Sequence, residues 1–340
     1  MKYRYLGSSG LAVSTVCLGT MTFGNDTWGS DSRTSTDILS AFVEQGGNFI
    51  DTADQYNCGV SEQIIGKWLS SQKRDDMVIG TKCSFQVGND INSRGLSRKH
   101  IIKACEASLR RLNTDYIDLY QIYGFDPQTP LDETMSALDF LVQQGKVRYL
   151  GVSNLPAWKV MKLFNIAQNK NYSHFISGQY LYNLLKRDIE SEILPACDDV
   201  GMGMLCWSPL SGGMLTGKYT DSDNPPDDTR LSLRADLSHD KYKIWYEKSS
   251  IIVNKLREIA KKNNQSVAVV ALSWLLKQHN VASVVVGARK KAQLIDNCKA
   301  GEWVISNDAY RQLSELSQVS YGHSKIWNDE NSKDWFDNIL

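Results

Sequence analysis

The sequence predicts an α/β fold, a (β/α)8 TIM barrel with an N-terminal β-hairpin and a long loop after the seventh strand. Eight short apolar segments recur along the 340 residues, and a segment with helical hydrophobic spacing follows each of them. Several of the apolar segments are nearly continuous runs of Val, Ile, Leu and Tyr, which is typical of parallel strands buried on both faces. Eight such units favour a closed barrel.

The elements follow in order from local patterns. A hairpin is predicted over residues 3–13, with its turn at Gly7-Ser8-Ser9-Gly10. Ser97 precedes one predicted helix, and Pro130 precedes another that ends by Gly145. An open doubly wound sheet is the alternative, but it would normally carry Gly-x-Gly-x-x-Gly after its first strand. The eight strands are predicted at residues 15–19, 48–51, 77–81, 116–122, 147–152, 175–179, 202–207 and 282–286.

The whole chain, residues 1–340, is predicted to form one barrel domain, because no linker or break in composition divides it. Residues 211–248 are rich in Asp, Ser, Pro and Gly and are predicted to form a loop over the barrel mouth. Residues 320–340 are polar, contain Trp327 and Trp335, and are predicted to be a C-terminal tail that folds back over the mouth.

The amino-acid composition indicates which classes of partner and which cellular compartment to expect. Lys plus Arg and Asp plus Glu are equal at 38 each, so we expect neither nucleic acid nor a membrane as a partner. The seven cysteines form no Cys-x-x-Cys pair, which is typical of reduced thiols, and the N-terminus lacks the apolar core of a signal peptide. We therefore expect a cytoplasmic protein that is a monomer or a weak homo-oligomer.

The ends of the predicted strands carry chemistry. In a barrel of this kind the active site lies at the C-terminal ends of the strands, where this sequence has Asp51 with Tyr56, then Lys82, then Tyr123. A tyrosine beside an ammonium and a carboxylate is a sensible general acid. We expect Lys82 to lower the Tyr56 pKa from its ordinary value of about 10, and Asp51 to hold the lysine charged.

A second set of strand-end residues predicts a dinucleotide site. The amides of Asn154 and Gln179 suit a flat carboxamide, and Trp207 offers a face on which a ring can stack. Gly287-Ala288-Arg289-Lys290-Lys291 places amides and cations at a helix start, which suits an anion. The alternative is structural: Gln179 and Asn154 would tie loops together and Trp207 would belong to the core. The predicted strand ends lack a cluster of metal ligands and a histidine base, so we predict no metal and no serine hydrolase.

The chain resembles the aldo-keto reductase superfamily, of the bacterial NADPH-dependent type, over roughly residues 1–318. The matching motifs are Leu18-Gly19-Thr20-Met21-Thr22-Phe23-Gly24, Asp51-Thr52-Ala53 with Tyr56 and Ser61-Glu62, Thr81-Lys82, Asp118-Leu119-Tyr120-Gln121-Ile122, Gly151-Val152-Ser153-Asn154, Trp207-Ser208-Pro209-Leu210 with Gly213-x-Leu215-Thr216-Gly217-Lys218, and Gly287-Ala288-Arg289 with Gln293 and Asn297.

This resemblance implies an oxidoreductase that uses NADPH to reduce an aldehyde, ketone or sugar carbonyl to an alcohol. It implies that Tyr56 donates the proton and that Lys82 and Asp51 tune it. Residues of the other motifs are implied to bind the cofactor: Ser153, Asn154 and Gln179 at the nicotinamide, Trp207 beneath the ring, Ser208, Leu210 and Lys218 along the pyrophosphate, Arg289, Gln293 and Asn297 at the adenosine phosphate, and Gly19, Thr20, Met21, Pro209, Leu215, Gly287 and Ala288 beside them.

One position departs from the family pattern. After Asp118-Leu119-Tyr120-Gln121-Ile122 the family has a histidine, whereas this chain has Tyr123, and its five histidines lie elsewhere. Three readings remain open: a reductase with a small-molecule carbonyl substrate, an NADPH-binding regulatory or sensor protein with weak or no turnover, and an enzyme that oxidises a sugar or polyol with the Tyr56 phenolate as base.

Overall fold

Eight parallel strands form a closed barrel in a computed structural model, which describes residues 1–221, 223–233 and 239–319. A separate antiparallel hairpin of Tyr3–Tyr5 (β1) and Ala12–Ser14 (β2) precedes it. The barrel strands are Val16–Gly19 (β3), Phe49–Asp51 (β4), Val78–Cys83 (β5), Ile117–Tyr123 (β6), Val147–Ser153 (β7), Phe175–Leu181 (β8), Gly203–Trp207 (β9) and Val281–Val286 (β10). They follow one another around the barrel in chain order, and β10 closes it against β3. The predicted fold is confirmed.

Helices surround the strands. Those predicted after Ser97 and Pro130 are present, and the Ser97 hydroxyl accepts a hydrogen bond from the His100 N–H at 3.2 Å, as expected of an N-cap. Within the described residues, no helix is both long and apolar enough to cross a membrane. The helices are Ser32–Glu44 (α1), Val60–Leu69 (α2), Arg98–Leu112 (α3), Leu131–Gln143 (α4), Ala157–Lys170 (α5), Ile193–Asp199 (α6), His239–Asn263 (α7), Val267–Leu276 (α8), Lys291–Cys298 (α9) and Asn307–Leu316 (α10).

The N-terminal hairpin packs against the barrel at the end opposite the predicted site. Leu6 and Val13 are fully buried in an apolar cluster with side chains from the barrel interior. Gly7 has φ of +59°, and a Cβ there would lie 2.5 Å from the carbonyl oxygen of Gly201. The next residue, Ser8, donates its N–H to that same carbonyl at 2.7 Å. Only glycine allows the turn to approach the chain so closely, and the hairpin therefore plugs this end.

The register of the parallel strands brings distant polar residues to one level. Asp51 pairs with Gly80 between β4 and β5, and Lys82 pairs with Gln121 between β5 and β6. Ser153 pairs with Gln179 between β7 and β8. Because side chains alternate along a strand, this register points Asp51, Lys82, Gln121 and Gln179 into the barrel near its C-terminal end, where their hydrogen bonds join them.

The segment after β9 is more regular than its composition predicts. It begins with a 3-10 helix at Ser211–Thr216, and α7 begins at His239, so the last ten residues of the predicted 211–248 loop are helical. The Asp- and Ser-rich composition concealed this helix start because those residues also favour turns. Residues 222 and 234–238 of this segment, and the predicted tail at 320–340, lie outside the described residues.

Candidate active site

A buried ion pair lies at the centre of the barrel mouth. The Lys82 Nζ donates to Asp51 Oδ2 at 2.6 Å, and their side chains are 0% and 2% exposed. The same ammonium donates to the Thr52 carbonyl at 2.9 Å and to the Tyr56 Oη at 3.3 Å. A buried ammonium is costly to desolvate unless its three protons are all used, and here each has an acceptor. The structure thus brings together three of the predicted site residues, Asp51, Tyr56 and Lys82.

Two glutamines form hydrogen bonds with the second oxygen of the Asp51 carboxylate. Gln121 and Gln179 both donate from Nε2 to Asp51 Oδ1, at 3.0 and 2.8 Å. Gln179 was predicted to hold a carboxamide; in the structure its amide nitrogen donates to the Asp51 carboxylate, and its side chain lines the cavity described below. Gln121 was not among the predicted site residues. Its signal was present, since Gln121 and Asp118 are the two polar residues inside the strand Ile117–Tyr123, whose other residues are Ile, Leu and Tyr.

Tyr56 stands at the start of a tight turn between β4 and α2. The next two residues, Asn57 and Cys58, have φ of 48° and 53°, and this reversal leaves Tyr56 beside the ion pair. Burial and the negative charge of Asp51 raise the pKa of Tyr56 well above its ordinary value, and Arg230 opposes them. The expected lowering by Lys82 is therefore wrong. The Lys82 charge is already matched by Asp51 at 2.6 Å, so little net positive field reaches the phenol.

Tyr123 borders the same group of side chains. Its ring centroid lies 5.8 Å from the Lys82 Nζ and 4.7 Å from the Phe85 ring, which meets it edge-on. Burial and the proximity of Tyr56 raise the pKa of Tyr123, so both phenols are protonated at neutral pH. The position occupied by histidine in the family pattern therefore holds a neutral side chain that can donate one hydrogen bond.

A further buried carboxyl, Asp54, lies two residues before Tyr56 and was not predicted as a site residue; its backbone N–H donates to the Lys82 carbonyl at 3.1 Å. It is 2% exposed, and its Oδ2 has no hydrogen-bond partner among the described residues. Burial and the neighbouring carboxylate of Glu62 raise the pKa of Asp54 to about 7, with Arg111 opposing. Glu62 itself is neutralised by Arg111 at 2.6 Å. Asp54 thus changes its charge near neutral pH next to the catalytic candidates.

A cavity of about 540 Å³ opens from this centre across the barrel mouth. It is lined by Asp51, Tyr56 and Tyr123 and by most of the residues predicted to bind a cofactor: Gly19, Thr20, Met21, Gln179, Trp207, Ser208, Pro209, Leu210, Lys218, Gly287, Ala288, Arg289, Gln293 and Asn297. Leu215 was also predicted there, but it is fully buried in the core, where its side chain packs with other apolar groups.

Ser153 and Asn154 were predicted to bind the nicotinamide, but they are not among the residues that line the cavity. They form hydrogen bonds with residues that do. The Ser153 hydroxyl donates to the Gln179 carbonyl at 2.9 Å and accepts from Asn154 Nδ2 at 2.9 Å. The side-chain oxygen of Asn154, Oδ1, accepts a hydrogen bond from the indole N–H of Trp207 at 2.9 Å. This hydrogen bond fixes the plane of the Trp207 ring, so Asn154 orients the surface on which a flat ring could stack.

Cations converge at the other end of the cavity. Burial and the nearby charges of Arg289 and Arg230 lower the pKa of Lys218. Arg230 and Asp228 also line the cavity; both belong to the segment 211–248 that the sequence predicted to lie over the barrel mouth, but neither was a predicted site residue. Lys291 was predicted to join this anion site, but it pairs with Glu44 at 3.5 Å. The cavity is lined by four cationic side chains, Lys218, Arg230, Arg289 and Lys290, which suit a ligand with phosphate groups, and the Trp207 face suits its ring.

Comparisons with known proteins agree with this arrangement. Residues 15–318 match the sequence profile described as the Aldo/keto reductase family. The chain is 38% identical to an uncharacterized oxidoreductase, YrpG, of Bacillus subtilis, covering 93% of this chain and 96% of that protein. It is 36% identical to versiconal hemiacetal acetate reductase of Aspergillus parasiticus, over 93% and 96%. It is also 36% identical, over 88% and 91%, to a protein of Oryza sativa named "Probable voltage-gated potassium channel subunit beta".

Proposed function

Because this chain belongs to the aldo/keto reductase family of oxidoreductases, we propose that it uses NADPH to reduce an aldehyde, ketone or sugar carbonyl to an alcohol. The observation that carries the proposal is the Tyr56 hydroxyl at 3.3 Å from the buried Lys82–Asp51 pair, at the wall of the cavity. The named reductase among the relatives supports the same reaction class.

Tyr56 is the proposed proton donor. Its raised pKa keeps the phenol protonated at neutral pH, so a proton is available for the oxygen of a bound carbonyl. The Lys82 ammonium donates a hydrogen bond to the same phenol oxygen, and this hydrogen bond holds the oxygen in place as the proton leaves. Asp51 holds the ammonium in place. We therefore expect the protonation of Tyr56 to limit the reduction rate only as the pH rises through the raised pKa of this phenol.

The residues of the cavity fit a nicotinamide dinucleotide. Bound NADPH would supply the hydride, and this chain's own groups would bind and orient it. Trp207, with its indole N–H held by Asn154, would lie against the nicotinamide ring. Lys218 would face the pyrophosphate, and Arg289 would bind the phosphate on the adenosine ribose, because a guanidinium binds phosphate through two hydrogen bonds.

Tyr123 is the proposed second hydrogen-bond donor to the substrate oxygen. A phenol reaches farther from the backbone than an imidazole and remains neutral, so it narrows the space above the ring and cannot add a positive charge. Its edge-on contact with Phe85 fixes its position. We propose that this substitution restricts the range of substrates and slows the reduction of small aldehydes.

A single-turnover experiment tests the proposal. NADPH-loaded protein is mixed with an activated aromatic aldehyde, and the loss of nicotinamide absorbance is followed in a stopped-flow instrument. Wild type should transfer hydride, and Tyr56→Phe should bind NADPH normally but react at least about a hundredfold more slowly, which is the usual contribution of a general acid. Equal rates in the two proteins would remove Tyr56 from the mechanism.

The same experiment separates the reductase from a nucleotide sensor. Tyr123 at the usual histidine position and the relative named as a channel subunit are the observations that favour a sensor. A sensor would bind NADPH and show no hydride transfer across a broad panel of aldehydes and ketones. Recovery of transfer in Tyr123→His would then show that Tyr123 had blocked an otherwise complete site.

A further inference from the structure

Asp228 forms ion pairs with the cations at the end of the cavity where the adenosine phosphate is proposed to bind. Asp228 Oδ1 accepts from Arg289 Nη2 at 2.6 Å, and its Oδ2 accepts from Lys290 Nζ at 3.1 Å. The Asp228 backbone carbonyl accepts a third hydrogen bond, from Arg289 Nη1 at 2.9 Å. These three residues are called the Asp228 cluster below. The guanidinium therefore binds Asp228 through two of its nitrogens, as it would bind a phosphate.

The Asp228 cluster belongs to the cavity wall. Asp228, Arg289 and Lys290 all line the cavity, beside Gln293 and Asn297. Arg289 is further fixed because Gln293 Oε1 accepts its backbone N–H at 3.0 Å. Asp228 is 57% exposed, so it lies at the open edge of the cavity, where an incoming ligand can displace it. Any anionic ligand that binds Arg289 would therefore lie next to the Asp228 carboxylate.

The negative charge of Asp228 affects a nucleotide that carries a 2′-phosphate differently from one that does not. A phosphate monoester on the adenosine ribose carries about −1.5 to −2 charge at pH 7. With Asp228 in place, that phosphate and the carboxylate would compete for the two cations of the cluster and repel each other. A ribose with a free 2′-hydroxyl has no such conflict, and a carboxylate can accept a hydrogen bond from it, as acidic residues do in other NAD sites.

We propose that Asp228 is a specificity-determining residue that competes with the ribose 2′-phosphate for Arg289 and Lys290 and so reduces the preference of this site for NADPH over NADH. The inference rests on the proposed function, because it requires a nicotinamide dinucleotide in the cavity. It explains why the two cations predicted to select NADPH are already paired. Neutralising Asp228 should then strengthen NADPH binding and leave NADH binding nearly unchanged.

Asp228→Asn is a suitable test variant. Asp228 has φ of +53°, a conformation that Asn tolerates as well as Asp, so the turn should be preserved. Asp227→Asn is the matched control, since it removes the same charge from the preceding residue, whose side chain is exposed. Any effect of net charge alone should appear equally in both variants.

Fluorescence titration of wild type and both variants with NADPH, NADH, 2′,5′-ADP and 5′-AMP tests the inference. In Asp228→Asn the Kd of NADPH and of 2′,5′-ADP should fall roughly threefold to tenfold, as expected for relief of an exposed ion pair that includes an arginine. The Kd of NADH and of 5′-AMP should change less than about twofold, and Asp227→Asn should match wild type.

Two results would overturn the inference. If Asp228→Asn weakens NADPH and NADH alike, Asp228 supports the bound nucleotide; if neither Kd moves, it does not compete. Failure of the proposed reduction is recognised separately, in the single-turnover experiment, because a protein that binds NADPH without transferring hydride still allows these titrations. If neither dinucleotide binds wild type, the cavity is not a nicotinamide dinucleotide site. The two mononucleotides report on the adenosine end alone, so their result does not depend on catalysis.

Discussion

Replacing Lys82 by methionine should destabilise the protein strongly. Methionine has a similar length, but it removes the ammonium that lies 2.6 Å from Asp51 and leaves that carboxylate buried at 2% exposure. The two amide donors that remain, from Gln121 and Gln179, do not supply the missing charge. Breaking a buried pair in this way costs about 3–5 kcal/mol of unfolding free energy. Hydride transfer should be lost as well, because Tyr56 loses its partner.

A surface pair of a lysine and a carboxylate provides the control. Lys146 and Glu106 are joined at 2.8 Å with side chains 31% and 42% exposed. Lys146→Met should cost at most about 1 kcal/mol, because water screens an exposed pair. The double variant Asp51→Asn/Lys82→Met contains no unpaired buried charge and should therefore be more stable than Lys82→Met alone.

Urea unfolding followed by tryptophan fluorescence and circular dichroism measures these free energies at one pH and ionic strength. The slopes with urea must agree among the variants for the comparison to hold. The reasoning would be refuted if Lys82→Met cost no more than Lys146→Met. It would also be refuted if the double variant were as unstable as the single one, since the loss would then arise from packing and not from an unpaired carboxylate.

Three further predictions concern Asp54, Arg289 and Tyr123. The raised pKa of Asp54, about 7, means that its contribution to stability is full below its unfolded value near 4 and is lost as the pH rises through 7. Asp54→Asn should therefore gain roughly 2–5 kcal/mol over wild type between pH 4 and pH 8 in urea unfolding, and a difference independent of pH would contradict this. Arg289→Ala should weaken NADPH binding by about 1.5–3 kcal/mol with little effect on NADH, and an equal loss for both nucleotides would exclude a 2′-phosphate contact. Tyr123→His should accelerate the reduction of small aldehydes and add a limb near pH 6.5 to the pH–rate profile; unchanged rates would show that Tyr123 does not restrict the site.

The sequence by itself determined the fold and the residues that meet at the barrel mouth. Eight apolar segments alternating with amphipathic ones leave few architectures, and a parallel barrel collects the C-terminal ends of its strands at one rim. Asp51 and Tyr56 at the end of one predicted strand and Lys82 at the end of the next were therefore enough to predict that these side chains lie together. The hairpin was equally readable, because its turn depends on local glycine and serine residues.

Only the tertiary structure decided the electrostatics and the pairing of side chains. Whether Lys82 lowers or fails to lower the Tyr56 pKa depends on the 2.6 Å distance to Asp51, which no local pattern encodes. The burial of Asp54, which follows β4, near Glu62 of α2 is likewise a result of tertiary packing. Asp228 and Arg289 lie 61 positions apart in the chain and meet only because the segment after β9 folds across the mouth. The strength of a charge interaction depends on the distance between the groups and on their burial, which the tertiary structure sets, whereas hydrophobic periodicity is a property of the sequence.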